Sequence, residues 1–399
     1  MRVATSTAYE STVNTLQRRQ QELTSAQAQM TSGKKISQAS DDPTGAARAE
    51  RALIEQTRGE TTLRAIDASR NAMTLSESAI GDAVNLTQTA REALVAAGNG
   101  SYSAGDRKAL AVQLRELRGQ LLNVANQQDG NGGFLFGGQG IQTAPFSDAV
   151  GGVQYNSTAG QLNGSSTEQL PLSVDGQQVW LQARSGNGVF ETGAAAANTG
   201  TGWIGAGQVT NPSALTGQSY SVSFANNAST GALEYSVTDS ATGAPANDSS
   251  GNPITAKPYN AGKAITDVPG MSFTVSGTPA AADRFSIAPS QPNLSVFAAL
   301  DRSLAVLEDP NANGGQVMQA VTNGLRDLDQ SLSTMQSARS VVGETLNRLD
   351  GLGSRTDARI LSAKTTRSNA EDLDMVQAIS DFSNKQTGYQ AALQSYSMV

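Results

Sequence analysis

The chain of 399 residues contains no cysteine and no histidine, and aromatic residues make up only 5% of it. The first two absences remove disulfides, thiolate nucleophiles, cysteine and histidine metal ligands, and every catalytic triad that uses imidazole as its base. Basic residues are also in deficit, 28 against 35 acidic ones. The net charge of -7 argues against a general nucleic-acid binder, whose phosphate contacts need a basic surface. No run approaches the roughly 18 apolar residues of a membrane span. Met1 to Leu16 holds no apolar h-region, so a cleaved Sec-type signal is not expected. The expectation is a soluble protein with no metal, no cofactor, no nucleic-acid partner and no membrane partner.

What is present is periodicity. Met318, Val321, Leu325, Leu328, Leu332, Met335, Val342, Leu346 and Leu349 alternate spacings of 3 and 4, with only Arg339 out of character on the stripe. A period of 3.5 places them on one face of a long helix, which must be buried against another helix. The candidate partners lie earlier in the chain. Ser40-Asp41-Asp42-Pro43 starts a helix expected from Pro43 to Ala97, with Asp42 accepting from its free amides and Pro43 in the first turn. The adjacent carboxylates Asp41 and Asp42 invite a metal or catalytic reading, but a cap with a favourable dipole interaction is the simpler account. Gly59 and Gly81 interrupt this helix at a cost of about 1 kcal/mol each. After Gly98-Asn99-Gly100, Leu110, Leu114, Leu117, Leu121 and Val124 define a third, antiparallel helix from about Asp106 to Gln128.

The ends of the chain carry sparser stripes. Val13, Leu16, Leu23 and Met30 are spaced by 3, 7 and 7, in a helix too weakly amphipathic to persist alone. Met375, Ile379, Phe382, Tyr389, Leu393 and Tyr396 mirror them at the other end. Two such stripes bury little between themselves, so they are expected to become fully ordered only against copies of the same or a related protein.

Between Ile141 and Pro289 the period falls to 2. Leu170, Leu172 and Val174 alternate, Asp175-Gly176 reads as a two-residue hairpin turn, and Val179 and Leu181 continue as a return strand. Further strands are expected at Tyr220 to Phe224, Leu233 to Val237, Met271 to Val275 and Arg284 to Ile287. The low-complexity stretch Gly193 to Gly207 is read as a separator of two β subdomains. The glycines of residues 129–138 lack the Lys-Ser/Thr of a phosphate loop and mark a tight exit from the helical layer. Sugar or protein binding by Trp180 and Trp203 is weighed against core packing, and core packing is the expectation. A helix stripe resumes at Val296, Leu300, Leu304 and Leu307 and stops at Asp309-Pro310.

The fold expected is therefore mainly α with a β insertion: a long antiparallel helical bundle or coiled coil formed by the N- and C-terminal segments, with a central all-β outer region. The expected division is 1–42 with 350–399 as a terminal coiled-coil assembly domain, 43–140 with 290–349 as a long-helix bundle, and 141–289 as the β-rich part, split near 193–207.

Several motifs carry a resemblance. Met1-Arg2-Val3-Ala4-Thr5 with Tyr9, the run Met30 to Ile36, and Ser40-Asp41-Asp42-Pro43 with the small residues Gly45 to Ala47 resemble the N-terminal region of the flagellin superfamily. The Met-Arg start and the Asp-Asp-Pro cap look specifically like its hook–filament junction members. Gly133 to Gly138 is similar to the segment where that family leaves its helical domain, and Asp374 to Tyr396 resembles its C-terminal helix. The family continues past the equivalent of Tyr396 with a further apolar stretch, whereas this chain stops at Met398-Val399. The resemblance implies a non-enzymatic structural subunit of the bacterial flagellum, exported unfolded through the flagellar type III pathway and assembled extracellularly as a ring or layer of its own copies. It also implies hook-associated protein 1 and flagellin as neighbours, and a cytoplasmic export chaperone on the C-terminal helix. The alternative within the family is a filament-forming flagellin. An enzyme on this scaffold would need a carboxylate pair drawn from Asp148, Glu168, Asp175, Glu191, Glu234, Asp239, Asp248, Asp267 and Asp283. An adhesin or phage fibre is the third reading.

Overall fold

A computed structural model describes residues 2–140, 142–165 and 168–397; the side chains of residues 2–6, 8, 396 and 397 lie outside the description. The chain divides into two compact units, 1–67 with 350–399 and 68–349.

The first unit contains α1 (Arg2–Ser32), the start of α2 (Pro43–Ala97), the end of α6 (Gly314–Glu371) and α7 (Met375–Ser397). Small residues let α2 and α6 approach here: Ala49 and Ala52 are buried on one helix, Ala363 on the other. A Cβ on Gly59 would stand 2.6 Å from Ile360 Cγ1, so the glycine that interrupts the pattern is a contact point.

The second unit holds the rest of α2, α3 (Ala104–Ala125), the β region, α5 (Val296–Glu308) and the first part of α6. Helix α3 begins with a capping box in which Ser103 Oγ accepts from the Asp106 amide and Asp106 Oδ2 accepts from the Ser103 amide at 2.9 Å. The long stripe packs as its spacing requires: Val321, Leu328, Leu332, Met335, Val342 and Leu349 are buried, and Met318, Leu325 and Leu346 are half-buried. Within this unit α2 runs antiparallel to α6, with Arg91 paired to Asp329 at 2.7 Å and Thr87 Oγ1 3.8 Å from Met335 Sδ. Arg339, the misfit on the stripe, turns outward to pair with Glu77.

The β region is antiparallel. β1 (Phe146–Ala149) and β2 (Gly152–Tyr155) form a hairpin. β3 (Phe190–Ala194), β6 (Tyr220–Asn226), β7 (Leu233–Asp239), β8 (Lys257–Pro258) and β11 (Arg284–Pro289) form a five-stranded sheet in the order β3-β11-β6-β7-β8. In a second sheet β10 (Met271–Ser276) pairs with β4 (Trp203–Ile204), β5 (Gln208–Val209) and β9 (Ala264–Ile265). Alternate residues such as Val222, Phe224, Val237, Phe273, Val275 and Phe285 fill one core between the sheets.

Two expectations fail in this region. Asp175-Gly176 makes no hairpin turn. Asp175 Oδ1 instead accepts from the Gln177 and Gln178 amides at 3.0 and 3.4 Å and starts a single helical turn, α4 (Gly176–Leu181), which buries Val179 and Trp180. An aspartate before a glycine caps a helix as readily as it opens a turn, and tertiary burial of Val179 and Trp180 favours the helix. The stretch 193–207 does not separate two cores, because Phe190 before it and Tyr220 and Val222 after it share one, to which Ile204 within it also belongs. Its small residues are a steric requirement: a Cβ on Gly200 would lie 2.3 Å from the Ala280 amide, and one on Gly207, at φ +70°, would lie 2.8 Å from the Phe190 ring. Trp180 is 1% exposed and stacks on Phe297 at 6.0 Å, in a second aromatic cluster with Phe136 and Phe146. Trp203 is half-buried in β4.

Candidate assembly interface

The residues singled out at the chain ends come together in the first unit, where α1 and α7 pack side by side. Val13, Leu16, Leu23 and Met30 on α1 are half-buried, as are Phe382 and Tyr389 on α7. Met375, Ile379 and Leu393 are 43%, 54% and 42% exposed, and Val376, which the periodicity did not pick out, is 83% exposed. The side chain of Tyr396 falls outside the described residues. One helix covers only part of the other's apolar stripe, so hydrophobic surface remains uncovered along the pair.

The roots of these two helices are fastened to each other. Gly33 takes φ +67°, a left-handed conformation that ends α1 and suits a residue without Cβ. Lys34 then pairs with Asp372 as a single antiparallel bridge. The Lys35 amide donates to the Glu371 carbonyl at 2.8 Å, and the Leu373 amide donates to the Gly33 carbonyl at 2.9 Å. Side chains reinforce the bridge: Lys34 Nζ lies 3.3 Å from Glu371 Oε1, and Lys35 Nζ donates to the Asn369 carbonyl at 2.8 Å near the end of α6.

Asp41 and Asp42 organise the connection from α1 to α2. Asp41 Oδ2 accepts from the amides of Gln38 and Ser37 at 2.9 and 3.0 Å and from the Ser37 hydroxyl. Those bonds, the Gln38 amide first, hold its carboxyl below the usual carboxylate range. Asp42 Oδ1 accepts from the Gly45 amide at 2.9 Å, the Thr44 hydroxyl at 2.8 Å and the Thr44 amide at 3.0 Å, and those bonds, the Gly45 amide first, likewise hold its carboxyl below the usual carboxylate range. Pro43 occupies the first position of α2. Each carboxylate is engaged by its own loop, in geometry suited to capping.

Sequence reasoning missed a second set of working residues on α6, in the 68–349 unit. Gln319 holds β4 by its backbone: the Ile204 amide donates to Gln319 Oε1 at 2.8 Å, and Gln319 Nε2 donates to the Ile204 carbonyl at 3.2 Å. Arg326 Nη1 donates to the Thr192 carbonyl of β3 at 2.8 Å, while Asp327 bridges Arg326 and Arg302 at 2.9 and 2.8 Å. Arg326 is 7% and Asp327 1% exposed. The available signal was a pair of charged residues between Leu325 and Leu328, where a helix facing only other helices would carry small or apolar side chains.

Among the described residues no group of His, Cys, Asp or Glu is placed to hold a metal ion, and no helix is long and apolar enough to cross a membrane. Long helices from both chain ends, a β insertion, and an uncovered apolar stripe on the terminal pair define a flagellin-like structural subunit. Comparison with known proteins agrees. Residues 3–141 match the family model of the bacterial flagellin N-terminal helical region. Flagellar hook-associated protein 3 of Salmonella typhimurium is 32% identical over 182 residues, spanning 45% of this chain and 57% of that protein, little more than half of the relative's length. Its Escherichia coli counterpart is 24% identical over 400 residues, 99% of this chain and 96% of that one. The crystal structure of the flagellar junction protein FlgL from Legionella pneumophila is 33% identical and covers 76% of this chain and 99% of its own, with a TM-score of 0.68. The chain belongs to the flagellar hook-associated protein 3 family and is a structural component of the bacterial flagellum.

Proposed function

We propose that the chain is the subunit that joins hook to filament, assembling as a ring or short layer of its own copies through α1 and α7. The observation that carries this reading is the uncovered apolar stripe on the terminal helix pair, with Ile379 54% and Val376 83% exposed. A helix pair that leaves such residues in water gains stability by burying them against further copies. The assembly surface consists of Val13, Leu16, Leu23, Met30, Met375, Ile379, Phe382, Tyr389, Leu393 and Tyr396, with Asp41, Asp42 and Pro43 fixing the turn behind it. In this reading 1–42 with 350–399 form the assembly domain, 43–140 with 290–349 the helical bundle, and 141–289 the outward β-rich part.

The protein meets hook-associated protein 1 on one side and flagellin on the other, has no catalytic role, and leaves the cell through the flagellar type III pathway with a chaperone on α7. Names of relatives support the location, and an apolar helix that stays uncovered until assembly is a natural chaperone ligand. Electron microscopy of intact flagella with an antibody to the β region tests the location. A single labelled band at the hook–filament boundary is expected; label along the whole filament would mark the chain as a filament flagellin instead. Deletion of the gene is expected to leave hooks without filaments and to release flagellin into the medium.

A further inference from the structure

The contact between α1 and α7 has a register, and the two apolar stripes share it. At the root, Lys34 bridges Asp372. Farther out, Arg19 stands beside Gly388, where a Cβ would lie 2.7 Å from Arg19 Nη1. Ser11 and Thr15 on α1 and Ala391 and Ser395 on α7 line one groove beyond that point. Between the bridge and the approach of Arg19 to Gly388 lie 15 residues on α1 (34 to 19) and 16 on α7 (372 to 388), so the two intervals agree to within one residue. Carried along the same register, Val13 falls level with Leu393, Leu16 with Tyr389, Leu23 with Phe382 and Met30 with Met375. The α1 spacings of 3, 7 and 7 meet spacings of 4, 7 and 7 on α7.

Stripes that repeat every seven residues do not define one register by themselves. A slip of one heptad keeps most levels matched, and Gln, Ser, Thr and Ala between the levels offer little to resist it. We infer that Gly33 to Lys35 and Glu371 to Leu373 are positioning residues, whose bridge selects one register of α1 against α7 and so builds a single composite apolar stripe from the two chain ends. The bridge can do this because it joins backbone to backbone at the first residues outside both helices. From there the rise of each helix sets every later level, and a shift of one residue turns the α7 stripe by about 100° away from that of α1. The role of the stripe in assembly rests on the function proposed above; the register does not.

The absence of cysteine permits a direct test in the full chain. Arg19→Cys with Gly388→Cys is the level pair, and Arg19→Cys with Asp381→Cys is displaced by one heptad. The level pair is expected to oxidise about tenfold faster, since a disulfide needs Cα atoms about 4.4–6.8 Å apart. Insertion of one glycine between Leu373 and Asp374 leaves the bridge in place and moves α7 outward by one residue. The favoured partner of Arg19→Cys should then change from Gly388→Cys to Thr387→Cys. If Gly388→Cys stays favoured, helix packing sets the register and the inference is overturned. Equal rates for the level and displaced pairs in the parent chain would overturn it as well. Should the cross-link move while assembly onto flagella proceeds unchanged, the register stands and the assignment of the stripe to assembly fails.

Discussion

Replacement of Arg326 by alanine would test how the β sandwich is held to α6. In the parent chain the guanidinium satisfies the Thr192 carbonyl at 2.8 Å and shares Asp327, itself 1% exposed, with Arg302. Truncation removes one of two counter-charges from a buried carboxylate and leaves an edge-strand carbonyl without its donor. Breaking a buried ion pair outright costs about 3–5 kcal/mol. Asp327 keeps Arg302, which lowers that figure, but the orphaned carbonyl adds about 1 kcal/mol or more. The expected loss is about 3 kcal/mol in the unfolding transition that includes the sandwich. Urea denaturation followed by tryptophan fluorescence reads it, because Trp203 adjoins the Ile204 backbone that Gln319 holds. The double replacement Arg326→Met with Asp327→Leu removes both charges and should recover at least about 1 kcal/mol relative to Arg326→Ala. A loss below about 1 kcal/mol for Arg326→Ala, or a double variant less stable than the single one, would refute the view that this network clamps the sheet.

Other outcomes follow from the terminal unit. Ile379→Ser should leave the stability of the isolated chain within about 0.5 kcal/mol, since the side chain is 54% exposed, yet abolish incorporation into flagella in a complementation assay. Gly59→Val should destabilise the helix contact by about 1–3 kcal/mol in thermal melts through collision with Ile360, and Ile360→Ala should relieve part of it. The carboxyls of Asp41 and Asp42 sit below their ordinary range in the folded chain, so their contribution is present at neutral pH and fades as pH falls through the folded values, below about 4. Protection of the Ser37, Gln38, Thr44 and Gly45 amides, measured against the intrinsic exchange rate at each pH, should therefore fall in acid. Asp42→Asn keeps an acceptor and should remove that pH dependence at Thr44 and Gly45.

Periodicity made the helical layer legible. The alternating spacing over 318–349 marks one face of a helix, and that face is buried along the unit it occupies. The terminal stripes were legible for the same reason, although Val376 escaped notice because it lies beside Met375 and adds no new period. The β region was less readable. Alternation at Leu170, Leu172 and Val174 resembled a strand, and only the burial of Val179 and Trp180 around Asp175 made the following residues a helical turn. A run of alanine, glycine and threonine at 193–207 looked like a spacer because sequence does not reveal how closely another backbone approaches.

The sequence by itself determined the long helices, the place where the β insertion leaves and re-enters them, and the absence of cysteine and histidine chemistry. Those features depend on periodicity and residue type, which are local. Tertiary structure alone decided that Gln319 and Arg326 reach across to the backbones of Ile204 and Thr192, and that Gly33 to Lys35 meet Glu371 to Leu373. These contacts join residues more than a hundred positions apart, and their partners are backbone groups that every residue type carries. No pattern of side chains could therefore announce them; only the folded positions of the two segments bring donor and acceptor within reach.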